Sequence, residues 1–456
     1  MKTSTSTTEL QKCEHRLMQL LVLVLLLCLV SSQEQRREYS VWMAAGVSGI
    51  AVVLFLLEST RSLCRTSSET ARFLAQIVRT LWSTLIQYAA RGFKPKFPKW
   101  TLRFELVRGI MHDAATLFGD RIVDPIQAPV FRWHSELFGS FMGWFPLRRH
   151  GIQLESVHYN GLEHLWLKSS NRINNSKRLV LLFYHGGGYA VLSPRMYIPF
   201  CCELLKATMR ELSPQASNEN ITIDLFIANY RKIPEHPFPV PVEDAVTMYE
   251  YLLQQEKLNS SQIMLIGDSA GGGLVMSTLL RVRDGKSSWK PKLPLPLAAI
   301  VACPLVDLTG DDDKSKAPNC VLSSNLMAAS IETYRPRGKS PHQWADASPV
   351  HCDLQALPPI FLQAASFDYL FDHAVRLAAK AKADGVTNWE IDIHDEVTHV
   401  FMLFPTFVLP YARVGIQRMA TFAAKQFLKS PTMHGKHNGM LKTDNAVTHS
   451  LAPSAA

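Results

Sequence analysis

Short apolar runs of strand length recur through the second half of the chain, and stretches with helical spacing separate them. The runs are Leu179–Tyr184, Ile221–Ala228, Ile263–Ile266, Leu297–Ala302, Ile360–Ala365 and Trp389–His394. Nearly continuous apolar character over about four to eight residues predicts strands covered on both faces, as in a parallel sheet. Helical stretches such as Val242–Gln255 and Asp372–Ala383 lie between them. Strand and helix alternating over about 250 residues predict an α/β fold with a mostly parallel central sheet and helices on both faces.

The flanks differ. From about Thr66 to Arg149 the chain reads mainly as helix, with Phe73, Leu74, Ile77 and Leu81 at mixed spacing. After Lys429 it turns polar and dotted with Gly, Ser and Pro, so residues 430–456 are expected to be a disordered tail. The predicted plan is an N-terminal anchor region over 1–65, a helical linker over 66–150 and the α/β domain over 151–429.

Two apolar stretches, Leu17–Val30 and Val41–Leu57, open the chain. A helical span needs about 20 apolar residues, with a lower limit of about 17. The first stretch is short and ends in Val30-Ser31-Ser32, which resembles a signal-peptidase site; the second meets the limit. Two readings stay open: a transmembrane hairpin, or a cleaved signal followed by a single transmembrane anchor. The expected location is a membrane, that of the endoplasmic reticulum. Its side is left open. Arg61, Arg65, Arg72 and Arg79 after the second stretch favour a cytosolic domain, whereas sequons at Asn174, Asn220 and Asn259 would suit a glycoprotein in a lumen.

Composition changes little. The 456 residues are 47% hydrophobic and 19% charged, ordinary for a globular chain large enough to bury a full core. The net charge of +9 is scattered, apart from a looser set at Arg91, Lys94, Lys96 and Lys99. A basic flank beside a membrane segment accounts for that set, so no nucleic-acid partner is expected. Of eight cysteines, five lie in the α/β region, at 201, 202, 303, 320 and 352. The odd number and the lack of a C-x-x-C pair argue against a disulfide framework and a zinc site, and no metal or other cofactor is expected.

The chemistry concentrates after three strands. Ile263–Ile266 runs into Gly267-Asp268-Ser269-Ala270-Gly271 and then a helical stretch. G-x-S-x-G between strand and helix predicts a sharp turn that pushes Ser269 Oγ into the open, with Gly267 and Gly271 letting strand and helix pass closely. Leu179–Tyr184 ends in His185-Gly186-Gly187-Gly188-Tyr189. The glycine amides at 186, 187 and 188, with that of Ala270, are the candidate oxyanion donors, and His185 is expected to orient the loop. A carboxylate and a histidine should follow the serine in that order. Asp368, just past Ile360–Ala365, is preferred over Asp372, which sits where a helix begins. His399, after the last strand, is the candidate base; His394 lies in a strand pattern and His373 in a helical one, so both read as structural.

These motifs resemble the hormone-sensitive-lipase-like branch of α/β-hydrolases over roughly Leu179–Leu403, in His185–Tyr189, Tyr230–Pro239, Glu243-Asp244-Ala245, Gly267–Gly271, Phe367-Asp368 and His399 with Phe401. The resemblance implies an α/β-hydrolase fold, a Ser269–Asp368–His399 triad, and a cap over the pocket to which 307–346 and the helices before Arg149 contribute. Two positions depart from the family pattern: Tyr369 stands where a proline is usual and Ser366 where a glycine is. Both bear on pocket shape more than on chemistry. Membrane-anchored relatives include arylacetamide deacetylases and fungal steryl acetyl hydrolases, so the implied substrates are short acyl or acetyl esters of hydrophobic molecules. Acyl transfer or amide hydrolysis would use the same residues. A non-catalytic ligand-binding protein on this fold would lack the base, which His399 supplies here.

Overall fold

The computed structural model describes residues 63–169, 177–219, 221–286, 292–310, 318–340 and 343–431. The two apolar stretches, two of the sequons and the tail beyond 431 lie outside these residues. Among the described residues no helix is long and apolar enough to cross a membrane.

Each predicted apolar run forms a strand: β3 (Lys177–Tyr184), β4 (Ile221–Ala228), β5 (Ile263–Asp268), β6 (Ala298–Ala302), β7 (Ile360–Ala365) and β8 (Glu390–His394). They follow β1 (Ile152–Tyr159) and β2 (Leu162–Ser169), and the sheet order is β1-β2-β4-β3-β5-β6-β7-β8. From β4 to β8 every neighbour is parallel. β1 and β2 form an antiparallel hairpin on one edge. The apolar-run criterion misses this pair because its residues alternate with polar ones, although Asn160-Gly161 at its turn is a hairpin signal. Both residues have positive φ, 50° and 73°, as a type I′ turn requires.

The pleat divides the core in two. Val180, Leu182, Ile263 and Leu265 point to one face, and Leu179, Leu181, Met264 and Ile266 to the other. Helices α5 (Val240–Gln254), α6 (Ala270–Asp284) and α8 (Phe371–Ala383) cover the first face. Helices α4 (Ile198–Glu219) and α9 (Ala412–Leu428) cover the second. Burial of both faces is why the central strands carry no polar alternation.

Among the described residues three helices precede the sheet: α1 (Ser67–Ala90), α2 (Leu102–Phe118) and α3 (Gln127–His150), the last two joined through a 3-10 turn at Gly119–Val123. Thr66 and Thr101 cap α1 and α2 through their hydroxyls. Within 307–346 lies α7 (Ser324–Tyr334), which packs on α2 and on the 3-10 turn. Ser323 Oγ ties it down by donating to Ala115 O at 2.7 Å.

Candidate active site

The carboxyl ends of parallel strands gather loops from distant parts of the chain onto one edge, and here they gather the singled-out residues. Ser269, between β5 and α6, has φ 52° and ψ −122°. A residue with a β-carbon rarely adopts this conformation and keeps it only when its surroundings fix it. Three backbone hydrogen bonds do so. Ser269 N–H donates to Ala302 O at 2.9 Å, and Ser269 O accepts from Leu305 N–H at 2.9 Å and Gly273 N–H at 3.1 Å. The flanking glycines leave no room for a side chain. A β-carbon on Gly267 would stand 2.3 Å from Gly271 O, and one on Gly271 2.0 Å from Tyr184 O.

The loop after β3 turns back over this elbow. Gly187 has φ 105°, open to glycine alone, and its carbonyl accepts from Ala190 N–H and Val191 N–H, both at 3.0 Å. Ser330 Oγ of α7 donates to Gly188 O at 2.6 Å. Among the described residues the amides of Gly187, Gly188 and Ala270 donate to no protein acceptor. Ala270 opens α6, and the first N–H groups of a helix have no partner within it and carry its positive end. Gly186 departs from expectation: its amide donates to Asp268 Oδ1 at 3.0 Å, so it braces the elbow and is not free for an oxyanion. His185 is buried, stacks on the Tyr230 ring at 4.6 Å and bonds Gly186 O through Nδ1 at 2.8 Å. Burial, with the nearby Lys232 charge, pushes its pKa well down, which keeps it neutral.

Asp268 thus does more than fill a variable motif position. Its second oxygen accepts from Tyr197 O–H at 3.2 Å. Burial nevertheless raises its pKa to about 7, against the lowering effects of His399 and of its donors. A carboxyl with a folded-state pKa above its ordinary value binds a proton more tightly in the native state, so stability falls as pH rises from about 4 to about 7. Asp268→Asn should flatten that slope, read as melting temperature against pH. An unchanged slope would show that Asp268 is ionised throughout.

Asp368, three residues past β7, is fully buried and meets His399 from the loop after β8. The Nδ1 atom of His399 lies 2.9 Å from Oδ1 and 2.8 Å from Oδ2. Asp368 Oδ1 also accepts from Leu370 N–H at 2.9 Å, with Cys320 Sγ at 3.9 Å. With the carboxylate as acceptor, Nδ1 carries the proton and Nε2 is left with its lone pair. No hydrogen bond joins Ser269 Oγ to His399 among the described residues, and each keeps a few per cent of its surface open (8% and 3%). Such bonds are often long in the absence of substrate and close in the complex. The competitors stand apart. Asp372 lies in the first turn of α8. His394 bonds Asp392 and Tyr411, and His373 Nδ1 accepts from Val306 and Asp307 N–H.

Several supporting residues have no local signature in the sequence. Trp100 Nε1 donates to Glu396 O at 2.7 Å, and Phe97 packs its ring 4.7 Å from that of Phe367, beside Asp368. Val321 N–H donates to Thr398 Oγ1, next to His399. Ser366, the departure from the family pattern, accepts from Glu396 N–H at 2.8 Å and so holds the base loop. Cys303, Asp368 and His399 present ligand atoms within 4.8 Å of one another. Burial and the Asp368 charge push the Cys303 thiol well up, so it meets the carboxylate as a neutral donor and not as a thiolate ligand.

Known proteins share this fold. Residues 181–403 match the α/β hydrolase fold family. An acetyl-hydrolase of Streptomyces hygroscopicus is 33% identical over 56% of this chain and 77% of its own. The versiconal hemiacetal acetate esterase of Aspergillus parasiticus is 26% identical over 57% of this chain and 78% of its own. A crystal structure of an esterase from the bacterial hormone-sensitive lipase family superposes with a TM-score of 0.58 at 28% identity, covering 73% of this chain and all of that one. The chain belongs to the α/β-hydrolase family, in its hormone-sensitive-lipase-like branch, and is a carboxylic ester hydrolase.

Proposed function

We propose that the protein cleaves short acyl, in particular acetyl, esters of hydrophobic molecules, with Ser269 as nucleophile, His399 as base and Asp368 as its orienting acid. The observation that carries the reading is the set of amides at Gly187, Gly188 and Ala270, left without protein acceptors among the described residues, beside a serine in a strained turn. In this mechanism His399 Nε2 takes the Ser269 proton as Oγ attacks the ester carbonyl. The amides hold the negative charge that develops on the carbonyl oxygen, worth about 2.7–4 kcal/mol per donor in other hydrolases. His399 then returns the proton to the leaving alcohol, and water releases the acid from Ser269 by the same steps in reverse order. The apolar stretch Val41–Leu57 supports an N-terminal anchor in a membrane, that of the endoplasmic reticulum.

A series of p-nitrophenyl esters from acetyl to palmitoyl tests the acyl preference. The expected kcat/KM is highest for acetyl or butyryl and falls about 100-fold by palmitoyl, since forcing a long chain into a site shaped for a short one displaces packed side chains at about 1–3 kcal/mol. Highest turnover on the palmitoyl ester would make this a long-chain lipase.

A further inference from the structure

Helix α3 is built inside out, and helix α1 carries a second apolar face on its outward side. Along α1 the inward side carries Phe73, buried against the Phe118 ring, together with Gln76 and Thr80, both hydrogen-bonded to Asp113 of α2. Its outward side carries Leu74, Val78 and Trp82, four residues apart, then Leu85 and Ile86 one turn on, with Trp82 63% and Ile86 65% exposed. Along α3 the inward side is small. Ser135, Gly139 and Gly143 are buried, and a β-carbon on Gly139 would stand 2.3 Å from the Arg195 backbone. Its bulk faces out: Phe141 is 70%, Trp144 56% and Phe145 59% exposed. A helix on a water-facing surface shows the reverse pattern. Large apolar residues outside, with small or polar ones at the helix contacts, is how helices pack where the surroundings are lipid.

The charges fit the same surroundings. Arg72 and Arg79 flank the α1 stripe, and Arg148 and Arg149 end α3 with their guanidinium groups 4.4 Å and 6.0 Å from the Trp144 and Phe145 rings. None of the four has an ion pair among the described residues. Tryptophan and arginine together mark the headgroup level, where one end of a side chain is apolar and the other wet. A symmetric contact between two copies would set these cations against their own equivalents. Sequence order agrees as well. Nine residues separate the apolar run Val41–Leu57 from the start of α1. The two helices are also linked: Arg121, in the 3-10 turn leading to α3, pairs with Glu69 of α1 at 2.8 Å, while Ile122 beside it lies against Gly188 of the oxyanion loop.

We infer that the outward faces of α1 and α3 dock the folded domain onto an anionic lipid surface, as a contact separate from any N-terminal anchor. The inference does not depend on the assignment of the triad. It is tested on the full chain in single-copy nanodiscs of phosphatidylcholine and phosphatidylserine with a diazirine on the acyl chain, mapping lipid adducts by mass spectrometry. Adducts are expected on peptides holding Trp82–Ile86 and Phe141–Phe145. Adducts confined to residues 1–62, or cross-links from these faces to a second copy in place of lipid, would overturn it. With Trp82, Ile86, Phe141 and Trp144 all changed to Gln, adducts on the two peptides should fall about tenfold, while turnover of soluble p-nitrophenyl acetate stays within about twofold. Unchanged adducts in that variant would also overturn it. If the variant loses turnover through misfolding, the wild-type adduct map alone decides.

Discussion

Ser269→Ala should lower kcat for p-nitrophenyl acetate by about 10⁵-fold or more, the scale on which removal of a hydrolase nucleophile is felt. The reason is local. The hydroxyl is the one group at the β5–α6 turn that can form the acyl-enzyme, and alanine keeps the backbone bonds that fix the turn. Ser269 N–H still donates to Ala302 O, and its carbonyl still accepts from Leu305 and Gly273. The melting temperature should therefore barely move. Residual rate above that in water should survive, because the amides at Gly187, Gly188 and Ala270 remain in place to polarise a carbonyl. Turnover in the variant within about tenfold of the wild type would remove Ser269 from the mechanism.

The parts of this site that could be read from sequence are those in which one short segment specifies its own geometry. Gly267 and Gly271 announce a close strand–helix crossing, and the crossing is there: a β-carbon on Gly267 would stand only 2.3 Å from Gly271 O. Strands β3 to β7 were legible because burial on both faces leaves them mostly apolar, whereas β8, at the sheet edge, alternates with Glu390 and Asp392. The β1–β2 hairpin was not, since Glu155, Ser156 and Glu163 interrupt its apolar pattern at the sheet edge. Gly186 was misassigned for a different reason. Its sequence context is the same as that of Gly187, and only the fold shows that Asp268, 82 residues away, takes its amide. The clasp of Phe97 and Trp100 on the base loop spans about 300 residues of chain and leaves no local trace.

That clasp gives the N-terminal layer a part in the chemistry. The residues around Trp100 close over Glu396, three positions before His399, while Lys99 Nζ donates to Asp395 O at 2.7 Å. From the other side the segment before α7 reaches Thr398 through Val321, and it reaches Asp368 through Cys320. Arg108 and His112 of α2 bind that segment in turn, at Pro318 O and Cys320 O. The acid and base are therefore held between elements that sequence order places far apart. Substitutions along α2 should reach the site through this segment, without any of those residues touching substrate.

Asp368→Asn is the sharpest test of the acid. An amide of the same shape can keep accepting from Leu370 N–H, so the fold should survive with a melting temperature lowered by only a few degrees. Its NH₂ group, however, turned towards His399, donates to Nδ1 where the carboxylate accepts. The imidazole is then driven to carry its proton on Nε2, the atom that must accept from Ser269, and it loses the negative partner that stabilises the imidazolium. In a serine protease the same exchange lowers kcat about 10⁴-fold, and a comparable loss is expected here. Asp372→Asn supplies the control. That carboxylate stands in the first turn of α8, where a negative charge favours the helix by about 0.3–1 kcal/mol. Its removal should cost a little stability and leave kcat within about twofold. Equal losses in the two variants, or a kcat for Asp368→Asn within about tenfold of wild type, would mean that the histidine is oriented by something other than Asp368.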